Sequence, residues 1–391
     1  MYNRFLFLFI LLAVVAGPGC RKTDFATLNS PAYLRVFNCL DYVITLDNKD
    51  NPQPFLIMLV DPQADVEGVA TGAAITGDFL DLRDTWARPY PDAGNTSVYQ
   101  KEYPGTAKVL VGPTLNGYDL SGWAQVPSGK HRVVFLSRPL STVPFFSLEK
   151  NQRTQVLVDT TIELTEGEVY TMHVLNKDYV NNKTEVYLRN ETFVKQPFSD
   201  SLVYVNFYNL SSNGFYQNAP DMTSGGVDPR NKLRDTMNVF CTLNRAINAS
   251  TSIPIGGGAN IAMGSVIRSL EPRVAPYYSF PLFADTSANR VFTGTVWQQF
   301  SFLRPGLIPG NIGYPGNLPG GDFVALGVGP YGDRRDDIRA NVMADIRSGL
   351  IVSERSGIYN PRSFATVNTV EYINRRFFVT TIQRKFDAPI Y

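Results

Sequence analysis

Short apolar runs dominate this chain, and many alternate with polar residues at a period of two. In Glu168-Val169-Tyr170-Thr171-Met172-His173-Val174 successive side chains would take opposite faces of a strand. Comparable runs occur at Tyr33–Leu40, Pro54–Val60, Ala107–Val111, His131–Ser137, Thr154–Asp159, Glu168–Leu175 and Thr184–Arg189. After a polar stretch they resume at Leu202–Leu210, Val239–Leu243, Arg290–Leu303, Asp322–Val328, Gly349–Ser353, Thr366–Ile373 and Arg376–Lys385. Most are rich in Val, Ile, Tyr, Phe and Thr and bounded by Gly, Pro, Asn or Asp, so they predict strands. Many short strands joined by turns predict sandwiches or barrels. The best helical signal is Arg334–Arg347, where Ile338, Val342 and Ile346 would share a face and Gly349 would end the helix. Asn218–Asn231 and Gly306–Gly321 read as long loops.

A faint internal repeat sets the domain organisation. Ala32-Tyr33-Leu34-Arg35-Val36-Phe37-Asn38 aligns with Val203-Tyr204-Val205-Asn206-Phe207-Tyr208-Asn209, and both runs end at Asn. A strong strand lies near the close of each half, Val169–Leu175 in the first and Phe377–Ile382 in the second, with the polar Lys195–Asp200 between the halves. The expectation is two related β-domains, 31–197 and 200–391. A chain of 391 residues agrees, being longer than one core usually organises. Hydrophobic residues at 44% and charged residues at 18% fit a folded globular protein. A net charge of +1 lacks the basic excess that nucleic acid demands, so no nucleic-acid partner is expected.

Three turn motifs carry a resemblance. The first is the strand ending in Asn. The second is the turn Val126-Pro127-Ser128-Gly129-Lys130-His131 leading into Arg132-Val133-Val134-Phe135. The third is Leu164-Thr165-Glu166-Gly167-Glu168-Val169-Tyr170-Thr171. Together they resemble a family of uncharacterised immunoglobulin-like domains that occur, often in tandem, in bacterial envelope and surface lipoproteins. The resemblance covers about 32–210 in pieces; in 211–391 only the opening and final strands fit. It implies an all-β fold of two immunoglobulin-like β-sandwich domains, the second with long loop insertions and one candidate helix. The family offers no catalytic residues to carry over.

The start of the chain points to an address. Met1–Gly19 has a basic residue, Arg4, then the apolar Phe5–Val15, then Ala16-Gly17-Pro18-Gly19 before Cys20. The apolar run is too short to span a bilayer, which takes about 20 residues, and its flanks match a secretory signal. Cys20 is the expected lipidation site, and residues 20–30 a tether to the membrane. Gly19-Cys20 fits a lipoprotein cleavage site, whereas Gly17 stands where a branched apolar residue is usual, so plain secretion is the alternative. The expected location is the bacterial cell envelope, anchored at the outer membrane, with the periplasmic and surface faces both open. Cys39 and Cys241 lie in apolar runs and read as two buried thiols, the alternative being one bridge.

Catalytic chemistry has little to draw on. The histidines are His131 and His173. His131 reads as exposed at a strand start, and His173 as facing solvent or packing at a sheet edge. No Gly-x-Ser-x-Gly elbow occurs, and Gly256-Gly257-Gly258 lacks the Lys-Ser/Thr of a phosphate cradle. Acidic groups cluster at Asp78, Asp81 and Asp84 and at Asp333, Asp336 and Asp337, each among arginines that suit surface ion pairs. The cluster Asp47-Asn48-Lys49-Asp50-Asn51 reads as a turn rather than a calcium loop. No metal and no cofactor are expected. Aromatic residues are the better binding candidates. Trp86 and Tyr90, and also Trp123, could stack on a sugar ring, Trp297 suits a core, and Tyr277, Tyr278 and Tyr314 are further candidates. Asp159-Thr160-Thr161 and Asp235-Thr236-Met237 resemble short bacterial O-glycosylation triplets, which also arise by chance.

These readings favour a non-catalytic envelope or surface lipoprotein that binds a protein or polysaccharide partner. A carbohydrate-active enzyme using paired carboxylates is one alternative, and a structural envelope spacer another.

Overall fold

The computed structural model describes residues 27–40, 53–78, 102–199, 202–211, 236–246, 252–281, 296–306, 323–328 and 366–383, except positions 106, 140, 142, 179, 255, 256, 272, 304, 374 and 375 within them. These residues form strands in several sheets, an all-β fold. The first half holds β1 (Pro31–Asn38), β2 (Gln53–Ala64), β3 (Ala70–Asp78), β4 (Glu102–Tyr103), β5 (Thr114–Leu115), β6 (Tyr118–Asp119), β7 (Ala124–Pro127), β8 (Gly129–Arg138), β9 (Val156–Leu164), β10 (Val169–Asp178) and β11 (Lys183–Asn190). The second holds β12 (Leu202–Asn209), β13 (Thr236–Ala246), β14 (Ser252–Pro254), β15 (Ile261–Ile267), β16 (Tyr278–Pro281), β17 (Val296–Leu303), β18 (Phe323–Val328), β19 (Thr366–Ile373) and β20 (Arg376–Gln383). The described helical pieces are short 3-10 turns such as Phe145–Ser147 and Thr192–Lys195.

The internal repeat is realised as topology. In the first half one sheet runs β11-β10-β1-β4, with β7 also on β1, and a second runs β3-β2-β8-β9. In the second half the orders are β20-β19-β12-β16 and β14-β13-β17-β18, with β15 also on β13. In each half the opening strand pairs in parallel with a late strand, β1 with β10 and β12 with β19. The structural counterpart of β10 is therefore β19 rather than the Phe377–Ile382 run aligned by sequence, which lies in β20 and pairs antiparallel with β19.

The terminal Asn of the repeated motif has a physical role. Asn38 Oδ1 accepts a hydrogen bond from the Leu40 backbone N–H at 3.2 Å, and Asn209 Oδ1 accepts one from the Ser211 N–H at 3.2 Å. Each side chain turns the backbone out of its strand. Asn38→Ala and Asn209→Ala should each cost about 1–2 kcal/mol in urea unfolding, because a backbone donor at a buried strand end loses its acceptor. The two glycine turns are equally specific. Gly129 (φ 117°) leads into β8 and Gly167 (φ 73°) leads into β10, both in the left-handed region that glycine tolerates. The Gly167 N–H also donates to the Pro31 carbonyl at 2.8 Å, tying this turn to the start of β1.

One face of the β1 sheet packs on the β2 sheet. Leu34, Val36, Met172 and Val174 meet Met58, Val60, Val133 and Phe135 there. The far face of the β2 sheet is covered by Phe145 and Leu148 from the β8–β9 crossover. The other face of the β1 sheet is also buried. Tyr33, Phe37, Cys39, Val169 and Leu175 join one apolar cluster with Phe193, Val194 and Phe198 of the connector and with Tyr208, Leu210, Val367 and Ile373 of the β12 sheet. A sheet covered on both sides explains why β1 is buried at every position from Ala32 to Asn38, a run rather than an alternation.

Ala107–Val111 is not a strand. It lies irregularly beside β7, with Val111 in an isolated bridge to Ala124 and the Leu110 carbonyl accepting from Gln125 N–H. The sequence reading passed over β3, which is built from Ala, Gly and Thr, and the short β4, β7, β14, β15 and β16. Met1–Cys20, the Asp47–Asn51 cluster, the loops 218–231 and 307–321, the Arg334–Arg347 helix and the Gly349–Ser353 strand lie outside the described residues. No helix among the described residues is long and apolar enough to cross a membrane.

Candidate functional site

The densest chemistry lies where the outer face of the β1 sheet meets the β12 sheet. On β10, His173 sits opposite Phe37 of β1 and Tyr187 of β11. Adjacent strand residues alternate, so Val169, Thr171, His173 and Leu175 share one face while Met172 and Val174 enter the other core. Arg189 of β11 is registered with Thr171 and stands on the same outer face. Glu371 of β19 lies opposite Tyr208 of β12. His173 is 2% exposed and Glu371 1%. The expectation for His173 is thus corrected: β10 is a central strand, and the face that alternation assigned to solvent is covered by the other half of the chain.

These groups form a continuous polar cluster. Arg189 donates from Nε at 2.9 Å and from Nη2 at 2.6 Å to Glu191 Oε1. Its Nη1 forms an ion pair with Glu371. The second Glu371 oxygen lies 3.1 Å from His173 Nε2. Both contacts of Glu371 are close, the one with Arg189 being ionic, but neither is aligned as a hydrogen bond. On the other side of the ring, His173 Nδ1 is 3.5 Å from Cys39 Sγ. The guanidinium also stacks over Tyr208, 4.8 Å from its ring centroid.

Burial sets the protonation states. It pushes His173 well below the usual histidine range, and the Arg189 charge adds to that. It raises the Cys39 thiol well above its ordinary value, with Arg189 partly opposing. Burial is the largest influence on Arg189 and works against its charge, but Glu191, Tyr208 and Tyr187 together outweigh it and the guanidinium is held above its usual value. Tyr187 is pushed up to about 12 by burial.

Cysteine, histidine and glutamate in line have the outward form of a nucleophile, base and orienter. The nucleophile in such chemistry is the thiolate, and here the thiol is buried and neutral. Because the imidazole stands between Cys39 and Glu371, the two do not converge on one point. Among the described residues no three His, Cys, Asp or Glu side chains form a group that could hold a metal ion. The arrangement joins the two halves of the chain, Arg189 and His173 on one side and Glu371 on the other.

The other candidates scatter. Trp123 is 1% exposed and packs in the shared cluster, 6.1 Å from Phe193 between ring centroids, with the Arg35 guanidinium 5.4 Å from its ring. It presents no open face to a sugar, a correction to its reading as a binding platform, since the connector covers that face of the sheet. Trp86 and Tyr90 lie outside the described residues, as do Asp81, Asp84, Asp333, Asp336, Asp337 and Tyr314. Trp297 is on β17, registered with Asn244. Asp78 forms an ion pair with the buried Arg138, which also donates to the Ser141 and Val143 carbonyls. His131 Nδ1 lies 2.7 Å from Asp61 and its Nε2 3.0 Å from the Pro127 carbonyl.

Thr160 is registered with Val133 and shares the core-side face of β9 with Val158 and Ile162, so the middle hydroxyl of that triplet is turned inward. Tyr277 packs against Phe198, with centroids 5.2 Å apart. Cys39 and Cys241 are both buried thiols and are not joined in a disulfide.

The sequence reading missed Arg189, Glu191 and Glu371. The repeat carries a signal for Glu371 only once the strand registers are known, since by sequence it set Val169–Leu175 against Phe377–Ile382. Aligning Asn38 with Asn209 and following both parallel registers makes His173 and Glu371 equivalent positions.

No family model matches this chain, and no curated protein matches it. Among solved structures, one similar chain is a candidate cell adhesion protein from Bacteroides uniformis ATCC 8492, with 7% identity over 92% of this chain and 100% of that one. Its TM-score is 0.14, which carries no argument about fold or function.

Proposed function

We propose that this protein is a non-catalytic interaction module of the bacterial cell envelope, tethered through Cys20, that binds a protein or polysaccharide partner through its β-sandwich surfaces. The resemblance to tandem immunoglobulin-like domains of envelope lipoproteins motivates the address. The observation that carries the non-catalytic reading is the burial of Cys39 and His173 in the joint between the sheets, where they serve packing. Asp78 is likewise engaged by Arg138, which leaves it poorly placed as a free catalytic carboxylate. Trp86 and Tyr90 are the aromatic groups proposed for the partner surface.

The test pairs binding with turnover. Full-length protein purified from membranes is incubated with isolated envelope polysaccharide and with envelope proteins, and retention and product release are both measured. The expected result is saturable retention of one of these without new reducing ends, weakened by Trp86→Ala. Release of cleaved glycan that Asp78→Asn, Asp81→Asn and Asp84→Asn together abolish would replace this reading with a glycosidase. Labelling cells with radioactive palmitate checks the tether: wild type should take the label and Cys20→Ser should not.

A further inference from the structure

The faces that meet at the joint are copies of one another. With Asn38 equivalent to Asn209, Tyr33 matches Tyr204, Phe37 matches Tyr208 and Cys39 matches Leu210. The parallel registers then match Val169 with Val367, Thr171 with Thr369 and Leu175 with Ile373. All of these except the threonines belong to the shared cluster or pack against it, and the threonines are buried. Two such similar apolar faces could associate at more than one angle, because burial of area is not directional. His173 and Glu371 are equivalent positions of different chemistry, as are Cys39 and Leu210, and Arg35 and Asn206. The first of these pairs is also where the copies touch, with Arg189 and Glu191 completing the contact.

We infer that Arg189, Glu191, His173 and Glu371 are positioning residues that fix one orientation between the two halves of the chain. An ion pair at a dry interface discriminates by direction and distance, and a rotated or slipped arrangement leaves its charges buried without partners. The cationic side belongs to the first half, and the carboxylate that meets it comes from the second. Because His173 and Glu371 are equivalent positions, a match of the first face with its own copy would set Arg189 against His173 with no carboxylate in the place of Glu371, and a match of the second would set Glu371 against Glu371. The connector reports the state of the joint, because Phe193, Val194 and Phe198 are held within it while the intervening Lys195 is exposed.

The test uses the full chain with two variants. Glu371→Gln keeps the side-chain shape and removes the charge. A triple variant, Arg189→Met with Glu191→Gln and Glu371→Leu, removes all three charges and leaves none buried alone. The readouts are the initial rate of trypsin cleavage after Lys195, the small-angle scattering distance distribution and the melting temperature. Glu371→Gln should keep its β circular dichroism, be cut at least tenfold faster after Lys195, and scatter with a broadened distribution. If it fails to fold, the triple variant decides. There the inference expects faster cleavage and broadened scattering at an equal or higher melting temperature, a combination that a purely stabilising role would not produce. Wild-type cleavage and scattering in whichever variant folds would overturn it, because apolar packing alone would then set the angle.

Discussion

Arg189→Met should destabilise the protein by about 3–5 kcal/mol, read as a shift in the urea midpoint. The guanidinium is buried between two carboxylates, hydrogen-bonded to Glu191 and paired with Glu371. Methionine fills much of the same volume, so little of the loss comes from a cavity. The cost arises because Glu191 and Glu371 remain at a joint where they are 4% and 1% exposed, with their cation gone. Arg189→Lys should fall between wild type and Arg189→Met, since an ammonium keeps the charge but lacks the fork that reaches both partners. A loss below about 0.5 kcal/mol for Arg189→Met, the scale of an ordinary surface change, would mean that water reaches both carboxylates and that the joint is not dry.

The strands were legible where their composition and turns were distinctive. Thr366–Ile373 agrees residue for residue with β19, and Leu202–Leu210 and Thr184–Arg189 agree with β12 and β11 within one position at each end. The glycines of the two turns and the terminal asparagines could be read because each meets a local backbone demand. The strand β3 was hidden because Ala, Gly and Thr carry little apolar signal, and it is held by its register with β2 instead. The site was hidden for a different reason. Alternation in β10 correctly separates two sets of residues, but it cannot say that the polar set is also covered. That depends on a second sheet almost 200 residues away in sequence, whose Glu371 supplies the partner for His173 and Arg189. A histidine between Thr171 and Leu175 looks like a solvent-facing residue until the equivalent strand of the repeat is laid against it.

Trp123→Ala separates a core tryptophan from a ligand platform. The indole packs beside Phe193 in the shared cluster, which also holds Tyr118, Leu120 and Tyr33, and the Arg35 guanidinium lies over its ring. Removing it leaves a cavity that the strands of a doubly covered sheet cannot collapse to fill. The expected cost is about 3–5 kcal/mol. Its indole N–H has no hydrogen-bond acceptor among the described residues, so Trp123→Phe sacrifices packing volume but no hydrogen bond. That variant should stay within about 1.5 kcal/mol of wild type. The contrast between Ala and Phe is the informative quantity, because a platform used for stacking on a sugar would give near-normal stability in both and lose ligand in the first. A Trp123→Ala protein that melts like wild type would place the residue at an accessible surface. The predicted loss instead ties Trp123 to Phe193 and the connector, and so to the joint that Arg189 and Glu371 hold.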